Sequence, residues 1–155
     1  MPSTPKLPQP IIVPIAEGLY RVVDDYYYEW QIEHSDRRIG ATTFTHQRLC
    51  VPTGFVSDGA SVPRLLWTLT GLTPDGLIRA AALLHDYIYR HKGRLPAGAY
   101  QHFDKESGAW RDLDAVWSRR ATDRLFARVM REAGVSKIKR RLAYLGVRVG
   151  GRFSW

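Results

Sequence analysis

His85 and Asp123 are the residues of this chain whose types and spacing point most directly to chemistry. His85 falls on the apolar stripe of a helix expected from about Leu77 to His91, because Ala81, Ala82, Ile88 and Tyr89 lie three or four positions away and share its face. Asp123 shares a face of a later helix with Phe126, Ala127 and Met130, which turns its carboxylate inward as well. Two inward polar groups on neighbouring helices invite a pair. A carboxylate on one ring nitrogen fixes the tautomer and leaves the other nitrogen as a base toward a cleft, as in hydrolases that activate water or a hydroxyl. The same pair also has a purely structural reading, a buried hydrogen bond that fastens two helices together.

Asp86 lies on a different face, close to Arg90. It reads either as half of a surface salt bridge or as a metal ligand. An oxygen-only site for Ca2+ or Mg2+ needs carboxylates and backbone carbonyls, which Asp86 and the Asp58-Gly59-Ala60-Ser61 loop would supply. As a plain loop, the same four residues make a turn through the Asp58 side chain, with Gly59 free to take a positive φ. As a site, they present Asp58 and Ser61 to the His85 cleft. Ser61 has no Gly-x-Ser-x-Gly setting and enters as a supporting residue, not as a nucleophile. His91 and His102 do not stand at zinc-ligand spacing from His85, and a single cysteine, Cys50, leaves neither an internal disulfide nor a cysteine-rich zinc site.

The elements that must position these groups are legible in outline. Prolines at 2, 5, 8, 10 and 14 mark residues 1–14 as an extended arm, which would suit docking on a neighbouring subunit, and residues 15–155 as a single domain. Tyr26, Tyr28, Trp30 and Ile32 alternate with Tyr27, Glu29, Gln31 and Glu33, a strand with one apolar face. His34 to Arg38 reads as a turn, and Ile39 to Val51 as one or two returning strands, so the first third is an antiparallel meander. A short helix is expected from Pro63 to Thr70, and Thr73 with Pro74 as the start of the helix that carries His85, which stops at Gly93. Residues 94–117 read as irregular. Two helices close the chain, about Ser118 to Ala133 and Ser136 to Val149, each opened by a serine and separated by Gly134. Strands first and helices after make this an α+β fold, a β-meander followed by a layer of three to four helices.

With 155 residues, 45% apolar and 25% charged, the chain has the composition of one globular domain, neither disordered nor collagen-like. No apolar run reaches the roughly 18 residues of a membrane span and no signal peptide opens the chain, so host cytoplasm or a virion is the expected location. The net charge of +8 is unevenly spread: residues 119–155 carry eleven Arg/Lys against only Asp123 and Glu132. That basic segment would face an acidic partner protein, an anionic lipid surface or, lacking any groove-reading motif, less readily nucleic acid.

The runs Phe55 to Pro63, Leu84-His85-Asp86-Tyr87-Ile88-Tyr89, Ala121 to Phe126 and Tyr144 to Trp155, ending in Gly-Arg-Phe-Ser-Trp, resemble the domain-of-unknown-function family numbered 1353, met mostly in tailed-phage and prophage genomes. The resemblance covers about residues 40–155 and implies a phage or prophage origin. A second, local resemblance links His85-Asp86-x-x-Tyr89 and the distant Asp123 to the active-site helices of secreted phospholipases A2. It implies His85 as the base, Asp86 as a calcium ligand, Tyr89 as a support and Asp123 as the group that orients the histidine, with the Asp58–Ser61 loop in place of that family's calcium loop. Two functions follow. One is metal-assisted hydrolysis of an ester, lipid or envelope-related. The other is a non-catalytic virion or tail component, in which the cluster is a clasp and the arm and basic end bind other phage proteins or further copies of the chain.

Overall fold

A computed structural model describes residues 7–58, 68, 71, 76–153 and 155. Ser61, the Thr73 cap and all but Thr68 of the helix expected over 63–70 lie outside the described residues. The architecture is α+β. Five strands open the chain: β1 Ile12–Ala16, β2 Leu19–Val22, β3 Tyr26–Asp36, β4 Ala41–Val51 and β5 Val56–Ser57. Helix α1 (Arg79–Arg90) follows, then β6 (Tyr100–Asp104) and β7 (Ala109–Asp112), and last α2 (Arg119–Glu132) and α3 (Lys137–Gly150). Two antiparallel sheets result, one in the order β1-β2-β5 and one in the order β3-β4-β6-β7.

β3 has the alternation expected of it: Tyr26, Tyr28 and Trp30 are buried, while Tyr27, Glu29 and Gln31 are exposed. This inner face meets α2 and the chain leading into it. Trp30 packs edge-on to Trp117 at 6.1 Å between centroids, and the Tyr28 hydroxyl donates to Glu132 at 2.9 Å. His34, Ser35 and Asp36, expected in a turn, continue β3, because Thr43, Thr42 and Ala41 pair with them; the reversal falls on residues 37–40 and uses Gly40 at φ +63°. Residues 94–117, expected to be irregular, hold the β6–β7 hairpin, in which Phe103 faces Trp110 and β6 pairs with β4. Cross-strand aromatic packing outweighs the glycines and proline that suggested a loop.

The proline-rich segment lies on the protein's own body over its described part. Strand β1 begins inside it, Pro8 accepts from the Tyr26 hydroxyl at 2.8 Å, and the Gln9 side-chain oxygen accepts from the Ala80 amide at 3.0 Å. That last bond caps α1 from 71 residues away, since Ile78 at its N-cap has no side chain able to accept. The stop expected at Gly93 is sharp: its φ is +76°, and a Cβ there would meet the Trp117 carbonyl oxygen at 2.0 Å.

Candidate functional site

Helix α1 is not amphipathic in the way its sequence suggests: every residue from Ala80 to Tyr89 is buried. β5 and its neighbours cover one side, where Phe55 meets Tyr87 at 5.0 Å, and α2 covers another. His85 is 1% exposed and stacks on Tyr89 at 4.1 Å between ring centroids. From α2, Asp123, 0% exposed, brings Oδ1 to 2.8 Å from His85 Nε2. The Tyr89 hydroxyl donates to the same Oδ1 at 2.7 Å, and Arg148 Nη1, from α3, donates to Oδ2 at 2.9 Å. One carboxylate of α2 thus gathers donors from both other helices, α1 and α3.

The electrostatics of this cluster define a protonation state. Burial pushes the His85 imidazole below its ordinary value and outweighs the pull of Asp123, so the ring is neutral at pH 7. Burial alone would raise Asp123, but hydrogen bonds from His85, Tyr89 and Arg148 overcome it and hold the carboxyl below its usual range. An ionised acceptor at Nε2 requires the proton of the neutral ring to sit there, which leaves Nδ1 as a bare lone pair. Nδ1 is buried and has no hydrogen-bond partner among the described residues.

Asp86 departs from its expected place at the surface, because α1 is enclosed: it is 2% exposed. Arg90 lies 3.7 Å from Asp86 Oδ1 through Nε and 3.1 Å from Asp58 Oδ2 through Nη2. The two carboxylates expected to share a metal do converge on one cation, and it is a guanidinium. Among the described residues no group of three or more His, Cys, Asp or Glu side chains is arranged to hold a metal ion. Of the loop expected to complete a calcium or magnesium site, Gly59, Ala60 and Ser61 lie outside the described residues.

Two members of the cluster escape a reading by motif. Arg148 is one of eleven cations in its segment, and nothing in its spacing sets it apart. Gly151 closes α3 where a Cβ would stand 2.5 Å from the Tyr89 hydroxyl oxygen, so its lack of a side chain leaves room for the group that holds Asp123. The glycine pair Gly150-Gly151 is the signal that could have drawn attention to it.

Compared with known sequences, residues 30–147 match the family described as "Protein of unknown function (DUF1353)". The chain belongs to this family. The DUF1353 match takes in His85, Asp86, Tyr89 and Asp123 and ends one residue short of Arg148. A curated relative, "Uncharacterized protein y4jT" of Sinorhizobium fredii (strain NBRC 101917 / NGR234), is 36% identical over 53 residues. That stretch is 34% of this chain and 16% of the relative's length. No solved structure matches the chain.

Proposed function

We propose that this protein is an ester hydrolase in which His85 is the general base and Asp123 its orienting group. The observation that carries the proposal is Nδ1: a buried lone pair with no hydrogen-bond partner among the described residues, on a ring whose other nitrogen is held by a carboxylate. A ring nitrogen free of a proton, on an imidazole whose tautomer a carboxylate fixes, is the arrangement that general-base catalysis needs.

The chemistry needs only water and the ester. Nδ1 takes a proton from water as the water oxygen bonds to the acyl carbon, and the carbonyl π electrons move to the carbonyl oxygen. Collapse of the tetrahedral intermediate breaks the bond to the alkoxide, which recovers the proton from Nδ1. A carboxylic acid and an alcohol leave, and the imidazole is restored. Asp123 stays ionised and stabilises the transient imidazolium, while Tyr89 and Arg148 keep Asp123 in place. The likeness of His85-Asp86-x-x-Tyr89 to the phospholipase A2 helix agrees in these roles and suggests a lipid or envelope ester.

A second reading has an observation of its own in favour. Both His85 and Asp123 are fully enclosed, and the Asp123 carboxylate ties α1, α2 and α3 together. A phage structural component would use such a clasp without any turnover.

Assaying short-chain p-nitrophenyl esters and phospholipid vesicles with the wild type, His85→Asn and Asp123→Asn, each with a melting curve, separates the two. A base predicts turnover that falls about 10²–10⁴-fold in His85→Asn, with Asp123→Asn as the second route should the first variant unfold. Wild-type protein that cleaves none of these esters faster than its variants do, while the variants melt early, overturns the hydrolase and leaves the clasp.

A further inference from the structure

Helix α3 has one face against the core, through Ala143 and Val147, and a second apolar stripe that faces outward. Ile138, Leu142, Leu145 and Val149 recur at intervals of four, three and four, so they lie along one line of the helix, and they are 75%, 42%, 58% and 70% exposed. Beside them, α2 and α3 enclose a groove of about 570 Å³, lined among others by Arg124, Lys137, Arg140, Arg141, Tyr144 and Leu145. A second concavity of about 410 Å³ extends it past Arg128 and Arg131.

The charge in this groove is not neutralised from within. The only acids of residues 119–155 are Asp123, held by His85 and Arg148, and Glu132, held by Arg128 and Tyr28. Among the described residues Arg124, Arg131, Lys137, Arg140 and Arg141 take part in no ion pair. We infer that the α3 stripe and the α2–α3 groove together form a docking surface for an anionic phospholipid bilayer.

Each half of the surface calls for one half of that partner. The arginines and lysine meet lipid phosphates, and the four aliphatic side chains, unpartnered in water, sink into the boundary between headgroups and acyl chains. A second copy of the chain would cover the stripe but would bring two sets of these cations face to face. A nucleic acid would meet the cations but leave the stripe against phosphate, where it gains nothing. Among the described residues no helix is long and apolar enough to cross a membrane, so this surface binds at the interface. Because the inner face of α3 is already packed, it docks as a formed helix, without a folding step. The inference stands on α2 and α3 alone and holds whether His85 is a base or a clasp.

Co-sedimentation of the full chain with phosphatidylcholine vesicles, with and without phosphatidylglycerol, tests it. Binding is expected only with phosphatidylglycerol and falls with salt. Arg124→Gln with Arg141→Gln is expected to weaken it roughly thirtyfold, at about 1 kcal/mol per cation. Leu145→Ser with Val149→Ser, which leaves the charge unchanged, is expected to weaken it by roughly tenfold or more. Equal binding to both vesicle types overturns the inference. So does loss with the charge pair but not the serine pair, joined to tighter binding of duplex DNA, which would assign the surface to nucleic acid. A concentration-dependent dimer that the serine pair abolishes, with no vesicle binding, would assign it to a second copy.

Discussion

A neutral imidazole beside an ionised carboxylate sets the sign of the response to acid. The folded state holds His85 below its ordinary 6.5, so below that pH the unfolded chain takes up a proton that the folded ring refuses. This contribution to stability is complete above pH 6.5 and is lost as the pH falls; Asp123, held below 3.8, adds a second loss in more acid solution. Urea denaturation between pH 7.5 and 5 should therefore show stability falling below pH 6.5, with His85 contributing up to about 1.4 kcal/mol per pH unit. His91, also lowered by burial, contributes to that slope, so the decisive quantity is the difference between wild type and His85→Asn. An unchanged slope in the variant would mean that the enclosed ring is not its source. At this scale the pairing of His85 with Asp123 was legible, because helical spacing put both among apolar neighbours. The bond from Arg148 was not, since a long cation's partner depends on how two helices cross, which no local pattern encodes.

At the scale of elements, local signals read well and distant ones did not. Ser118 does cap α2, accepting from the Ala121 amide at 3.1 Å, and Gly134 does separate the last two helices. The β3 alternation named its buried face residue by residue. The enclosure of α1 on all sides was hidden because Arg79, Asp86 and Arg90 give its sequence a polar side, which the fold then covers or pairs. Its cap was hidden because Gln9 comes from a segment whose prolines suggested a free arm. A comparison of two caps tests this account. Gln9→Ala, which removes the acceptor for the Ala80 amide, should cost about 1 kcal/mol and lower the melting temperature by several degrees. Ser136→Ala should cost almost nothing, because the Ser136 side chain makes no capping bond. Equal effects would show that the segment around Gln9 does not anchor α1.

Across the whole molecule, the cluster around Asp123 has two consequences. It fixes the protonation state of one buried ring, and through Arg148 it fastens α3, the helix that carries the exposed stripe and part of the cationic groove. The α+β order of strands and helices and the concentration of positive charge in the last quarter of the chain were both readable from composition and periodicity. The pairing of Asp86 with Arg90 was legible from its spacing of four; that Asp58 joins it was not, because carboxylates that could share a divalent ion look the same in sequence as carboxylates that share a guanidinium. The central claim concerns a single proton, and 15N-detected NMR of the His85 imidazole at pH 7 addresses it most directly. The structure predicts a protonated Nε2, a bare Nδ1 and a titration midpoint below 6.5. A proton on Nδ1, or an imidazolium at pH 7, would contradict the assignment of His85 as a base.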